Sequence, residues 1–157
     1  ANVDTVWKWV AATARWAFYA PALGTQALID YAAGNGYDVL ATIAGGEGFW
    51  VNARQAFSIQ PPSGSAVPAA AFMPSGTTPL GHAWSLVATG EAKTPGEFNA
   101  ALSGLSAVPA SPADIPVNLT TLWAWDAAQA AWYFYAPALE KTSGLSSHIA
   151  GKGYLGN

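Results

Sequence analysis

A mainly β protein with a few short helices, built from two related units of aromatic β-hairpin and short helix in sandwich-like or barrel-like packing, is the architecture this sequence predicts. Three observations carry the expectation. Aromatic residues alternate with small or polar ones at the two-residue period of a half-buried strand, as in "VWKWV" and "RWAFYAP". The pattern is written twice: Trp7, Trp9, Trp16, Phe18, Tyr19, Pro21 and Leu23 recur 116 positions on as Trp123, Trp125, Trp132, Phe134, Tyr135, Pro137 and Leu139. After one inserted residue, Leu28, Ala33, Gly34, Gly36 and Tyr37 are answered by Leu145, Ala150, Gly151, Gly153 and Tyr154.

The first copy opens on a strand that puts Trp7 and Trp9 on one face and Lys8 on the other. The linker "AATA", and "DAAQA" in the second copy, is short enough for a hairpin turn, and Pro21 and Pro137 stop the return strands. Cross-strand pairing then gathers four aromatics per copy on one face. In "TQALIDYAAGNG", Leu28, Tyr31 and Ala32 lie at helical spacing with glycine beyond the end, and "KTSGLSSHIAGKG" copies that plan. "VLATI" and "GFWVNA" read as strands flanking the glycine turn "AGGEG", and "HAWSLVATG" as a further strand. "TPGEFNAALSGL" has the capping-box pair Thr94 and Glu97 with proline at the first helical position, then Phe98, Ala101, Leu102 and Leu105 on one face. The segments "IQPPSGSAVPAAAFMPSGTTPLG" and "SAVPASPADIPVN" hold most of the eleven prolines and read as extended surface connections. The organisation expected is a first aromatic hairpin unit at 1–59, a proline-rich connection at 60–81, and a strand, capped helix and second hairpin unit at 82–157, with one joint domain over 1–157 as the alternative.

Composition bounds the role. At 157 residues the chain is long enough for one sizeable core or two small ones. Charged residues make up only 10% of it, less than half the usual share, so its surface favours contact with neighbours. A net charge of −3 with six scattered Lys and Arg offers no basic stripe for nucleic acid or for an anionic membrane surface. No apolar run is long enough for a membrane span, and without cysteine there is neither disulfide nor thiolate metal site. The start at "ANVDT" suits a mature chain cut behind a small residue as well as any other boundary.

No reaction is written in the residues. His82 and His148 lie apart without a metal-binding or triad spacing, no G-x-S-x-G elbow occurs, and "AGGEGFWVN" lacks the spacing of a phosphate loop. The carboxylate pairs Asp30 with Asp38 and Glu91 with Glu97 have no counterpart in the other copy. Asn118 opens an "NLT" glycosylation triplet. The expectation is a protein that is not an enzyme, with no cofactor, no metal and no catalytic residue.

The aromatics remain. Big rings at strand alternation face a core first, which assigns Trp7, Trp9, Trp16, Phe18, Trp123, Trp125, Trp132 and Phe134 to the interior. The opposite face leaves Tyr19, Tyr133 and Tyr135, with Trp50 and Trp84, for contact with a partner chain or a glycan. The strings "LWAWDAAQAAWYFYAPAL…GKGYL", "AWSLVATGE…TPGEFN" and "GEGFWVN" resemble a repeat of uncharacterised secreted or surface-attached bacterial proteins, which carry it behind signal or lipoprotein leaders and beside immunoglobulin-like or fibronectin-like domains. That resemblance covers most of the chain outside the proline-rich middle. It implies an extracellular or envelope location and a non-catalytic role, and supplies no catalytic residue.

The expected function is therefore a structural or interaction subunit, secreted or on the bacterial cell surface, that associates with itself or a larger assembly through aromatic, charge-poor surfaces. The alternative is a carbohydrate-binding module using exposed Trp and Tyr. The first copy lacks a "WSLV" strand before it and the second a "GFWVN" strand after it, which leaves sheet edges to be paired by the other half-unit or by a neighbour.

Overall fold

In the computed structural model, which describes residues 2–58 and 63–143, both aromatic stretches close into hairpins of the same register. β1 (Val3–Val10) pairs with β2 (Arg15–Tyr19), with Trp7 opposite Phe18 and Trp9 opposite Trp16. β5 (Leu122–Asp126) pairs with β6 (Ala131–Tyr135), with Trp123 opposite Phe134 and Trp125 opposite Trp132. The repeat extends to fine detail. Trp7 Nε1 donates to Thr5 Oγ1 at 3.1 Å and Trp123 Nε1 to Thr121 Oγ1 at 3.1 Å. Each four-residue loop ends on an alanine in the left-handed region, Ala14 at φ 50° and Ala130 at φ 48°. That conformation brings an L side chain's Cβ against the backbone, and glycine relieves it. Ala14→Gly and Ala130→Gly are each expected to stabilise by about 0.5–1 kcal/mol, the relief outweighing glycine's greater entropy loss. The measurement is the unfolding midpoint, and a lowered midpoint would contradict the strain argument.

Two compact units, interleaved in sequence, organise the chain. Among the described residues, 2–58, 63–65 and 80–88 form the first, and 66–79 and 89–143 the second. Six strands in two sheets and three short α-helices make the protein mainly β, and no closed barrel occurs among the described residues.

In the first unit a four-stranded sheet runs in the order β3, β2, β1, β4. "VLATI" and "GFWVNA" do not pair with each other. Only Asp38–Val39 of the first enters the sheet, as β3 parallel to β2, while β4 (Trp50–Ala53) runs antiparallel on the far edge of β1. Long-range pairing with the hairpin wins over the local glycine turn because the hairpin offers two bare edges at once. "HAWSLVATG" forms no strand, only a single bridge from Val87 to Glu47. Helix α1 (Thr25–Asn35) ends where Gly36 turns left-handed at φ 73°. It lays Leu28 against Phe18, and Trp7 and Tyr37 pack against the same cluster. Lys8, on the other face, donates to both carboxylate oxygens of Glu47 at 3.0 and 2.9 Å. Burial works against that charge, but the Ala44 N–H at 2.7 Å and Lys8 outweigh it and hold the Glu47 carboxyl below its usual range.

The second unit packs around α2 (Pro95–Ala101), whose capping box forms in full between Thr94 and Glu97. Phe98, Ala101 and Leu102 are buried as expected, but Leu105 lies beyond the helix end and is exposed. The proline-rich middle is not purely a surface connection. "AAAF" coils into a 3-10 helix (Ala69–Phe72) that buries Phe72 beside Phe98, ring centroids 5.8 Å apart. A short apolar run between prolines can turn inward because the 3-10 helix supplies its own hydrogen bonds. Helix α3 (Pro137–Ser143) begins directly at the proline that ends β6. The rest of the expected helix over "KTSGLSSHIAGKG", with His148, lies outside the described residues.

Candidate interaction surface

The two hairpins bury opposite faces. In the first, Phe18 is 4% exposed and Trp7, Trp9 and Trp16 are half-buried, while Tyr19 on the back is exposed. In the second the order is reversed: Tyr135 is 1% exposed, whereas Trp123, Trp125, Trp132 and Phe134 stand between 41% and 52% exposed. The core assignment thus holds for Phe18 and fails for those four rings, and the contact assignment fails for Tyr135.

Three departures between otherwise matching copies explain the reversal. Lys8 of the first back face becomes Ala124, and Ala17 becomes Tyr133, so the second back face carries no charge and a large ring. Gly24, just before α1, becomes Glu140 in α3. The Tyr135 hydroxyl donates to Glu140 Oε2 at 2.5 Å, and Glu140 is itself buried next to Gly96 in the first turn of α2. Asn99, equally buried, donates from Nδ2 to the Pro116 carbonyl at 2.7 Å and accepts at Oδ1 from the Asn118 N–H at 3.3 Å. A buried phenol needs such a partner, and tyrosine faces inward here because Glu140 and Asn99 are there to meet it. Burial first, then the Glu140 acceptor, push the Tyr135 phenol well above its usual value.

The outward rings keep the geometry of the first hairpin. Trp123 meets Trp132 edge-on at 6.4 Å and 77°, as Trp7 meets Trp16 at 6.4 Å and 86°. Trp123 stacks on Phe134 at 5.3 Å and 29°. In the first hairpin Tyr37 closes over Trp7 at 5.0 Å and Tyr31 lies against Phe18 at 5.1 Å. With about 150–250 Å² per aromatic side chain, the four exposed rings present on the order of 350 Å², the size of a patch that is often functional. Asp126, which caps its own turn by accepting from the Ala128 and Gln129 N–H groups at 2.9 and 3.1 Å, is the one charged residue of the hairpin.

The other candidates are scattered. Tyr133 is half-buried on the back of this hairpin, with its hydroxyl donating to Gln129 at 2.9 Å. Trp50 is half-buried in β4, and Trp84 is exposed on a loop whose carbonyl accepts from Trp9 Nε1 at 2.7 Å. Asn118 holds its amide nitrogen on the Asn99 carbonyl and Ser103 Oγ, at 2.8 and 2.7 Å, which occupies the atom a glycan would take. His82 is exposed, no three metal-ligating side chains converge among the described residues, and no helix among them is long and apolar enough to cross a membrane. Sequence reasoning overlooked Asn99 and Glu140, although the Gly24-to-Glu140 departure from the repeat marks the second. No protein family, curated protein or solved structure matches this chain.

Proposed function

We propose that this protein is a non-catalytic interaction subunit, secreted or held at a bacterial cell surface, that joins copies of itself or a larger assembly through the outward aromatic face of its second hairpin. The observation that supports the reading is the contrast between equivalent rings: covered by α1 and Tyr37 in one hairpin, 41–52% exposed in the other. A charge-poor surface adds to it, since few like charges oppose approach. Interface centres are enriched in such aromatics and depleted of charge.

A polysaccharide ligand is the second reading, favoured by the exposed Trp123 and Trp125. The edge-on packing of Trp123 against Trp132 weighs against it, because sugar faces stack on rings that lie flat and in line. Light scattering and sedimentation at micromolar concentration separate the two. The parent chain is expected to run larger than a monomer, or to co-purify in a complex from its source. Trp125→Ser should shift it toward monomer with its unfolding midpoint little changed, as an exposed ring allows. A parent that stays monomeric, and binds insoluble polysaccharide in a Trp125-dependent way, would replace this reading with the second.

A further inference from the structure

The two hairpins present the same outer edge but have different neighbours. On β1, the edge away from β2 is taken by β4, with Trp7 opposite Trp50, Val6 opposite Val51 and Thr5 opposite Asn52. The repeat places Trp123, Leu122 and Thr121 at those positions of β5. The inner registers agree residue for residue, and the Trp–Thr side-chain bond is reproduced, so the backbone of β5 runs as that of β1 does. Yet β5 and β6 form a two-stranded sheet, and among the described residues no strand pairs with the outer edge of β5. A bare row of N–H and C=O groups beside exposed rings is a template for strand addition.

We infer that the outer edge of β5 accepts an added antiparallel strand of the β4 type, an extended Phe-Trp-Val-Asn segment presented by a partner protein chain. The motif occurs once in the 157 residues and is already paired with β1, so the strand that fits β5 comes from another molecule. In the β1–β4 register, the incoming Trp lies opposite Trp123 and extends the outward aromatic face, its Asn lies opposite Thr121, and its Val joins Leu122 on the other face. The inference rests on the interaction reading above and supplies the partner's chemistry.

The test uses the whole chain and a synthetic peptide of residues 47–55, Glu-Gly-Phe-Trp-Val-Asn-Ala-Arg-Gln. Amide hydrogen exchange resolved by residue reads where the peptide lands. The peptide is expected to slow exchange of outward-facing amides between Leu122 and Trp125 by at least about tenfold, because a ladder bond must open before exchange occurs. A peptide carrying Val51→Pro loses a donor and the strand conformation, and should protect at least about tenfold less. No protection at β5, protection confined to β1, or equal effects of the two peptides would overturn the inference. Self-association of the chain alone is read separately by scattering. A chain that associates through Trp125 but gives the peptide no hold on β5 keeps the interaction reading and loses the edge assignment.

Discussion

Phe18→Ala is expected to cost about 3–5 kcal/mol, while Phe134→Ala, the same change at the same place in the repeat, costs under about 1 kcal/mol. Sequence treats these positions as equals: each follows a Trp-X step and sits opposite a Trp, at Trp7 and Trp123. Burial separates them. Phe18 is 4% exposed and touches Trp7 with ring centroids 4.6 Å apart, along with Leu28 and Ala20 in the first unit's core cluster. Removing its ring opens a cavity that α1 and the sheet cannot both close. Phe134 is 42% exposed, so much of its ring already meets water and its loss leaves a notch instead of a void. The measurement is amide exchange in each hairpin, which reads the two units separately where one global midpoint would blend them. Equal costs would show that the two aromatic faces are buried alike and would remove the basis for the interaction surface.

Glu140→Ala is the second large effect, expected at about 3 kcal/mol. It opens a void at a buried position and leaves the Tyr135 hydroxyl without its acceptor, and an orphaned buried donor costs about 1–3 kcal/mol before the void is counted. Glu140→Gln keeps an amide oxygen for the hydroxyl and should cost less than about 1 kcal/mol. A Glu140→Ala variant as stable as Glu140→Gln would show that the hydrogen bond does not matter. The same contact sets an alkaline limit. Burial and Glu140 raise the Tyr135 phenol in the folded chain, so the folded state holds that proton more tightly than the unfolded one. The stability this confers is complete below the unfolded value of about 10 and is lost as pH climbs from there through the raised folded value. Thermal melts should weaken above about pH 10 in the parent, with a shallower fall in Tyr135→Phe.

Much of the fold could be read without coordinates because its signals are local. The Trp7/Trp9 and Trp123/Trp125 alternation, the prolines that stop β2 and β6, the capping box at Thr94 and the glycine at the end of α1 each act within a few residues. Pairings that span the chain were not legible. β3 and β4 join opposite edges of one hairpin, and the apolar "AAAF" turns into the second core although it lies among prolines. Asn99 and Glu140 escaped notice because a polar residue reads as surface until its partners are known.

By itself the sequence determined that there are two hairpins, their shared register and ring geometry, and the charge-poor character of the surface, since all of these follow from residue type and spacing. Only the tertiary structure decided which side of each hairpin is inside. Alternation divides a strand into two faces but does not say which is buried, and here both faces are apolar enough to serve. The choice fell to what each hairpin packs against: α1 and Tyr37 cover the tryptophan face of the first, while Glu140 and Asn99 draw Tyr135 inward in the second and turn its tryptophans out.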